Sequence, residues 1–141
     1  MVSKNVFRSV VPVLSVLTAA GLVIDAYVHL TVAGDYAFVK TDVVSQATLF
    51  RVEGGVAIAA AVIVLIRPSR LTSLIALVVG AAGVAAVLAY TEFDPGRIGP
   101  LPDMYEPVWF TKKTVSLIAE AGATVSAAAL LALLSLRRHG R

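Results

Sequence analysis

Cysteine is missing from the whole 141-residue chain. That excludes thiol redox chemistry, disulfide frameworks and cysteine metal centres. Charge is scarce as well. Charged residues make up 15 % of the sequence, where a soluble domain has about 25 %. The combination of low hydrophobicity and high charge that marks disorder is absent. So are enzyme signatures: there is no phosphate-binding glycine loop, no nucleophile elbow and no paired-histidine helix motif. Gly54-Gly55 lacks the strand context of a dinucleotide fingerprint. No basic cluster is interleaved with exposed aromatics, so the net charge of +3 carries no nucleic-acid reading. These absences argue against a soluble enzyme.

What is present is aliphatic. Hydrophobic residues make up 58 % of the chain, and the mean hydropathy is +0.87. A bilayer-crossing helix needs about 20 mostly apolar residues. Four stretches qualify: Val10 to Ala33, Ala47 to Ile66, Leu71 to Tyr90 and Thr114 to Leu136. They take up roughly 90 residues at this span length, so the whole chain, 1–141, reads as a single integral membrane domain. The expected fold is all-α: a transmembrane antiparallel four-helix bundle with a long Pro-rich extracytoplasmic connection between helices three and four. Pro12 is expected in the first turn of span one, where its missing N–H costs little.

Lys and Arg placement sets orientation. Lys4, Arg8, Arg67, Arg70, Arg137, Arg138 and Arg141 share one side with no acidic residue. Lys40, Arg97, Lys112 and Lys113 lie on the other, beside Asp35, Asp42, Glu92, Asp94, Asp103 and Glu106. This places both termini in the cytoplasm and the protein in the plasma (inner) membrane. Anionic lipid head groups account for the basic surplus. Lys4 and Arg8 before an apolar run also resemble a signal peptide, with Thr18-Ala19-Ala20 as a cleavage site. The apolar run continues past that point to Leu30, which argues for retention of span one.

Small residues four apart recur: Gly55 and Ala59, Ala82 and Ala86, Ala119 and Ala123. Such spacing lets helix backbones approach closely. It serves packing within one bundle, or a homodimer or membrane-protein partner; the first is favoured.

Ionisable residues inside a membrane are costly and default to functional candidates. Asp25, His29, Arg51, Glu53 and Glu120 are the five. With about 1.5 Å rise per residue, Asp25, Glu53 and Glu120 each lie about 10–12 Å below the outer end of their spans. Asp25 and His29, four apart, share a helix face. Lys113, Ser116, Glu120 and Thr124 form a stripe on span four, and Gln46, Glu53, Ala57 and Ala60 share a face of span two. The expected result is a buried pocket of Asp25, His29, Glu53 and Glu120 in the outer half of the bilayer. Arg51 and Lys113 are placed at its mouth, with Lys112 close by.

Residues 93–110 carry turn signals at Asp94-Pro95-Gly96 and Gly99-Pro100. Tyr105, Val108, Trp109 and Phe110 are too apolar for a solvated loop, and Trp and Tyr favour the interfacial belt. The segment reads either as a head-group anchor or as a lid, with Asp103, Tyr105, Glu106 and Trp109 near the mouth. Tyr27 and Tyr36 are placed to meet it from below.

Several segments bear a family likeness: Asp25-Ala26-Tyr27-Val28-His29-Leu30, Leu49-Phe50-Arg51-Val52-Glu53, the run from Gly99 to Pro107, and Ala119-Glu120-Ala121. Together they resemble small four-span integral membrane proteins of actinobacterial type. The resemblance covers most of the chain and implies a fold and an envelope location, but no activity. In span count and size the chain is also similar to DoxX-like four-helix membrane proteins; no residue carries over from that likeness.

Three functions stay open. The favoured one is a non-catalytic accessory or small-ligand-binding protein. The others are a proton- or cation-coupled transport component and a quinone-binding protein associated with an oxidoreductase. Nitrogen and oxygen ligands of this kind suit a hard or borderline divalent metal, but the spacing matches no metal motif. Haem is disfavoured because His29 is the sole histidine within a span and His139 sits in the tail. No cofactor is named by the sequence.

Overall fold

The computed structural model describes residues 4–139. Arg141, and the side chains of Lys4, Arg137, Arg138 and His139, lie outside the described residues. Four α-helices account for most of the chain: α1 (Lys4–Val32), α2 (Gln46–Ile66), α3 (Arg70–Glu92) and α4 (Thr111–His139). All four are long and apolar enough to cross a membrane. By that criterion the chain is a multi-pass membrane protein. No strand occurs among the described residues; two isolated bridges, Lys40 to Ser45 and Ile98 to Leu101, tie the longer connections.

Helix starts and stops follow local chemistry. Ser45 caps α2 by accepting from the Thr48 N–H. At α3, Ser69 and Thr72 form a reciprocal capping box. Arg67 leaves helical geometry directly before Pro68, as steric conflict with the proline ring requires. The connection from α2 to α3 is therefore only Arg67-Pro68-Ser69. A 3₁₀ turn, Ala33–Tyr36, continues α1. Between α3 and α4, Gly96 and Gly99 adopt positive φ, which a side chain resists.

One expectation is corrected. Pro12 is not in the first turn of α1, because the helix begins at Lys4 and Pro12 lies inside it. The polar residues ahead of the apolar run extend the helix backwards. The ring sits on an exposed face, so it removes one backbone bond without displacing a packed neighbour.

The helices pack in a ring. α1 lies against α2 and α4, and α3 lies against α4. The contact between α2 and α3 is much thinner, and α1 barely meets α3 across the diagonal. Buried positions recur at steps of three and four, as at Ser73, Ala76, Gly80 and Gly83 on α3. The interior is built largely from small residues, with Leu22, Val64 and Leu130 the largest buried aliphatics. Gly21 shows why: a Cβ there would come within 2.6 Å of the Ala119 carbonyl of α4. Large aliphatics such as Val52, Ile66, Val78, Ile118 and Val125 point outward. In water so much exposed apolar surface would drive association; in lipid it is solvated.

The small-residue pairs divide. Ala119 and Ala123 are buried in the α1–α4 contact. Gly55 and Ala59 are exposed, so that pair does not serve packing inside the bundle. Ala82 and Ala86 are exposed too, on the thin α2–α3 side.

Candidate functional site

Because the α2–α3 contact is thin, a cavity of about 410 Å³ remains between the helices. Its lining comes from the C-terminal part of α1, the N-terminal part of α2, the C-terminal part of α3 and the N-terminal part of α4. Val52, Ala82 and Ala86 line it while being exposed. The cavity therefore opens sideways, through the gap between α2 and α3.

At the inner wall, Asp25 is 1 % exposed and Glu120 likewise 1 %. Asp25 Oδ1 accepts from Ser116 Oγ of α4 at 2.6 Å. His29 Nδ1 lies 2.9 Å from the same oxygen and 3.1 Å from the Asp25 carbonyl. Both of its partners are acceptor oxygens, which puts a proton on Nδ1. The pairing is geometric in origin: residues four apart on a helix face each other. Phe50 sets its ring edge-on against His29 at 5.0 Å and against Tyr36 at 5.3 Å. These contacts fix the imidazole between α1 and α2.

Glu120 lies beside Gly83 of α3; a Cβ at position 83 would overlap its carboxylate, 2.6 Å from Cδ. In this conformation the acid occupies the space that a side chain at position 83 would take. With all three acids as carboxylates, neither Glu120 oxygen has a donor, and neither has Asp25 Oδ2 or Glu53 Oε1; a shared proton would join the Glu120 and Asp25 side chains directly. Asp25, His29 and Glu120 offer ligand atoms within 4.8 Å of one another. Three carboxyl groups and one imidazole thus share a space largely shut off from water. Fully ionised they would leave uncompensated negative charge, which is strongly unfavourable at low dielectric. Protons or a bound cation must complete the site.

The connection before α4 covers the other end. Met104 and Glu106 line the cavity, and the Glu106 N–H donates to the Tyr90 carbonyl at 2.9 Å. Lys113 Nζ donates to the carbonyls of Glu106 and Val108 and stands 5.0 Å over the Trp109 ring. Its ammonium is held by the rim and forms no ion pair with the inner acids.

The structure thus brings His29, Glu53, Glu106, Lys113 and Glu120 to one cavity, with Asp25 directly behind His29. Arg51, Asp103, Tyr105 and Trp109 are exposed and do not line it. Asp103 instead accepts from the Tyr105 N–H within its own turn. Tyr36 lines the cavity, whereas Tyr27 points outward at 68 % exposure. Sequence reasoning missed Phe50, Tyr90 and Gly83 as site residues. Gly83 carried a usable signal, since a glycine in a span invites the question of what approaches it. Comparison with family models, curated proteins and solved structures found no match to this chain.

Proposed function

We propose that this protein is a non-catalytic small-ligand-binding membrane protein. On this reading the helices form an antiparallel bundle in the plasma membrane with both termini cytoplasmic, and the cavity lies in the outer half of the bilayer under the 93–110 connection. One observation carries the proposal: a side-opening cavity of about 410 Å³ that ends on a buried glutamate whose carboxylate accepts no hydrogen bond from any N–H or hydroxyl. Ligand sites are mostly apolar hollows of this size with a few convergent polar groups. The test is native mass spectrometry after gentle detergent extraction. A bound small molecule that is lost in Ala86→Phe, which plugs the opening, supports the reading. An empty wild type that also ignores added hydrophobic compounds rejects it. A quinone in the extract would assign the site to the oxidoreductase-associated alternative. A stoichiometric membrane-protein partner would favour an accessory role.

A second reading, a proton- or cation-coupled transport component, is supported by unpartnered carboxylate oxygens on three different helices. It requires Glu120→Gln and Asp25→Asn to abolish flux in proteoliposomes while both variants remain folded. Unaltered flux in both would sink it.

A further inference from the structure

We propose that the cavity takes a hydrophobic monocation, an organic amine or onium ion, with its charge set against Glu120 and Glu53 and its apolar groups among Tyr36, Phe50, Tyr90 and Phe110. The inference rests on the small-ligand reading and names the ligand class.

Three features of the site select that class. The first is the excess of acceptors. The atoms on the cavity wall that lack a donor, Glu53 Oε1 and both oxygens of Glu120, are all carboxylate oxygens, with Asp25 Oδ2 behind them. A ligand offering a cation or a donor satisfies them, whereas an anion or an acceptor-only molecule adds to the excess. The second is the wall. Four aromatic residues line the cavity, and the electron-rich faces of such rings attract cations. The third is the opening. It lies between α2 and α3 and is edged by Val52, Ala82 and Ala86, small or apolar residues past which a membrane-soluble molecule can move.

A metal ion is the rival occupant, and the apolar wall is what disfavours it. His29 Nδ1 and Asp25 Oδ1 are already joined to each other, and Ser116 donates to the latter. Those two atoms are occupied, which leaves His29 Nε2, Asp25 Oδ2 and Glu120 as the atoms a metal would have to use. Most of the cavity wall is hydrocarbon, which a bare divalent ion does not use.

Protons compete for the same carboxylates. The groups facing Glu120 are Asp25 and His29 from α1 and Glu53 from α2, while Lys113 of its own helix is held at the rim by the Glu106 and Val108 carbonyls. Tyr90 on α3 and Glu106 in the connection lie nearer the rim. Binding of a cation is therefore coupled to proton release, and affinity rises with pH.

The experiment measures equilibrium binding of tetraphenylphosphonium to the purified full chain in detergent. Tetraphenylborate serves as the anion of the same shape and triphenylphosphine oxide as a neutral analogue. The expected result is one saturable site per chain for the phosphonium alone. Its affinity falls as pH is lowered from about 8 to about 5, by at most about tenfold per pH unit for one proton exchanged. Glu120→Gln should weaken it by about thirtyfold or more, the consequence of removing one member of a buried charge pair. Glu53→Gln should weaken it less, and it carries the test if Glu120→Gln loses its fold. Equal binding of the borate or the oxide, unchanged in the Gln variants, overturns the cation inference and leaves the small-ligand reading standing. Displacement of the phosphonium one for one by Mn²⁺ or Zn²⁺, which then bind alone, overturns it in favour of a metal centre. If none of the three compounds binds, the cation inference is overturned, and bound molecules in the extract decide the broader reading separately.

Discussion

Glu120 shows how a single costly side chain is accommodated. Its carboxylate sits at 1 % exposure beside Gly83, and any side chain there would have to displace it. Gly83→Val is expected to destabilise the protein by about 1–3 kcal/mol, the usual range for overpacking. The check is the thermal midpoint in detergent, and an unchanged midpoint would mean α3 has room to move. Ser116 plays the opposite part, donating to Asp25 Oδ1 at 2.6 Å. Hydrogen bonds between helices in membranes average about 0.6 kcal/mol, with a maximum near 1.7. Ser116→Ala should therefore cost about 1 kcal/mol. A loss of several kcal/mol would show that Asp25 is left as an uncompensated charge, and that its polar neighbours matter far more than packing.

At the level of elements, the ring of helices is uneven. α1 and α4 are joined by Thr18 donating to Ser126 at 3.0 Å, by the Asp25–Ser116 bond and by the Gly21 contact. α3 and α4 are joined through Gly80 and through the Arg70 guanidinium, which donates to the carbonyls of Leu134 and Ser135. Among the described residues no side-chain hydrogen bond or close glycine contact joins α2 to α3 beyond their three-residue turn. That turn, together with the packing of α2 on α1 and of α3 on α4, sets how far the pair spreads and how wide the cavity opens. Ser69→Ala removes the capping box and should cost about 1 kcal/mol, with a range of about 0.5–2. Faster amide exchange over residues 70–73 would register it, while α4 should be unaffected. Equal loosening of both helices would show that the turn and the α3–α4 contact act as one unit.

Across the whole molecule, the arrangement of basic residues predicts a defined topology that is straightforward to measure. Since the native chain holds no cysteine, a single introduced thiol labels without background. In intact cells, Asp94→Cys should react with a membrane-impermeant maleimide and Arg67→Cys should not, reversing only after lysis. Labelling of Arg67→Cys from outside would invert the orientation and move the cavity to the inner half of the bilayer.

The sequence by itself determined the helical class, the number of long apolar helices and most of their bounds to within a few residues. Those features depend on apolar length and on caps and breakers such as Ser69 and Pro68, which act locally. It also picked out Asp25, His29, Glu53 and Glu120, because an ionisable residue in an apolar run stands out without knowledge of its neighbours. It placed Arg51, Asp103, Tyr105 and Trp109 at a mouth or lid; all four are exposed and none lines the cavity, and where they stand depends on which way an exposed helix face or an irregular connection turns. Only the tertiary structure decided that α2 and α3 stand apart, that the gap between them opens a cavity, and that Phe50, Tyr90 and Gly83 belong to it. Contacts between helices depend on which faces meet, and one chain's periodicity does not say which neighbour a face receives.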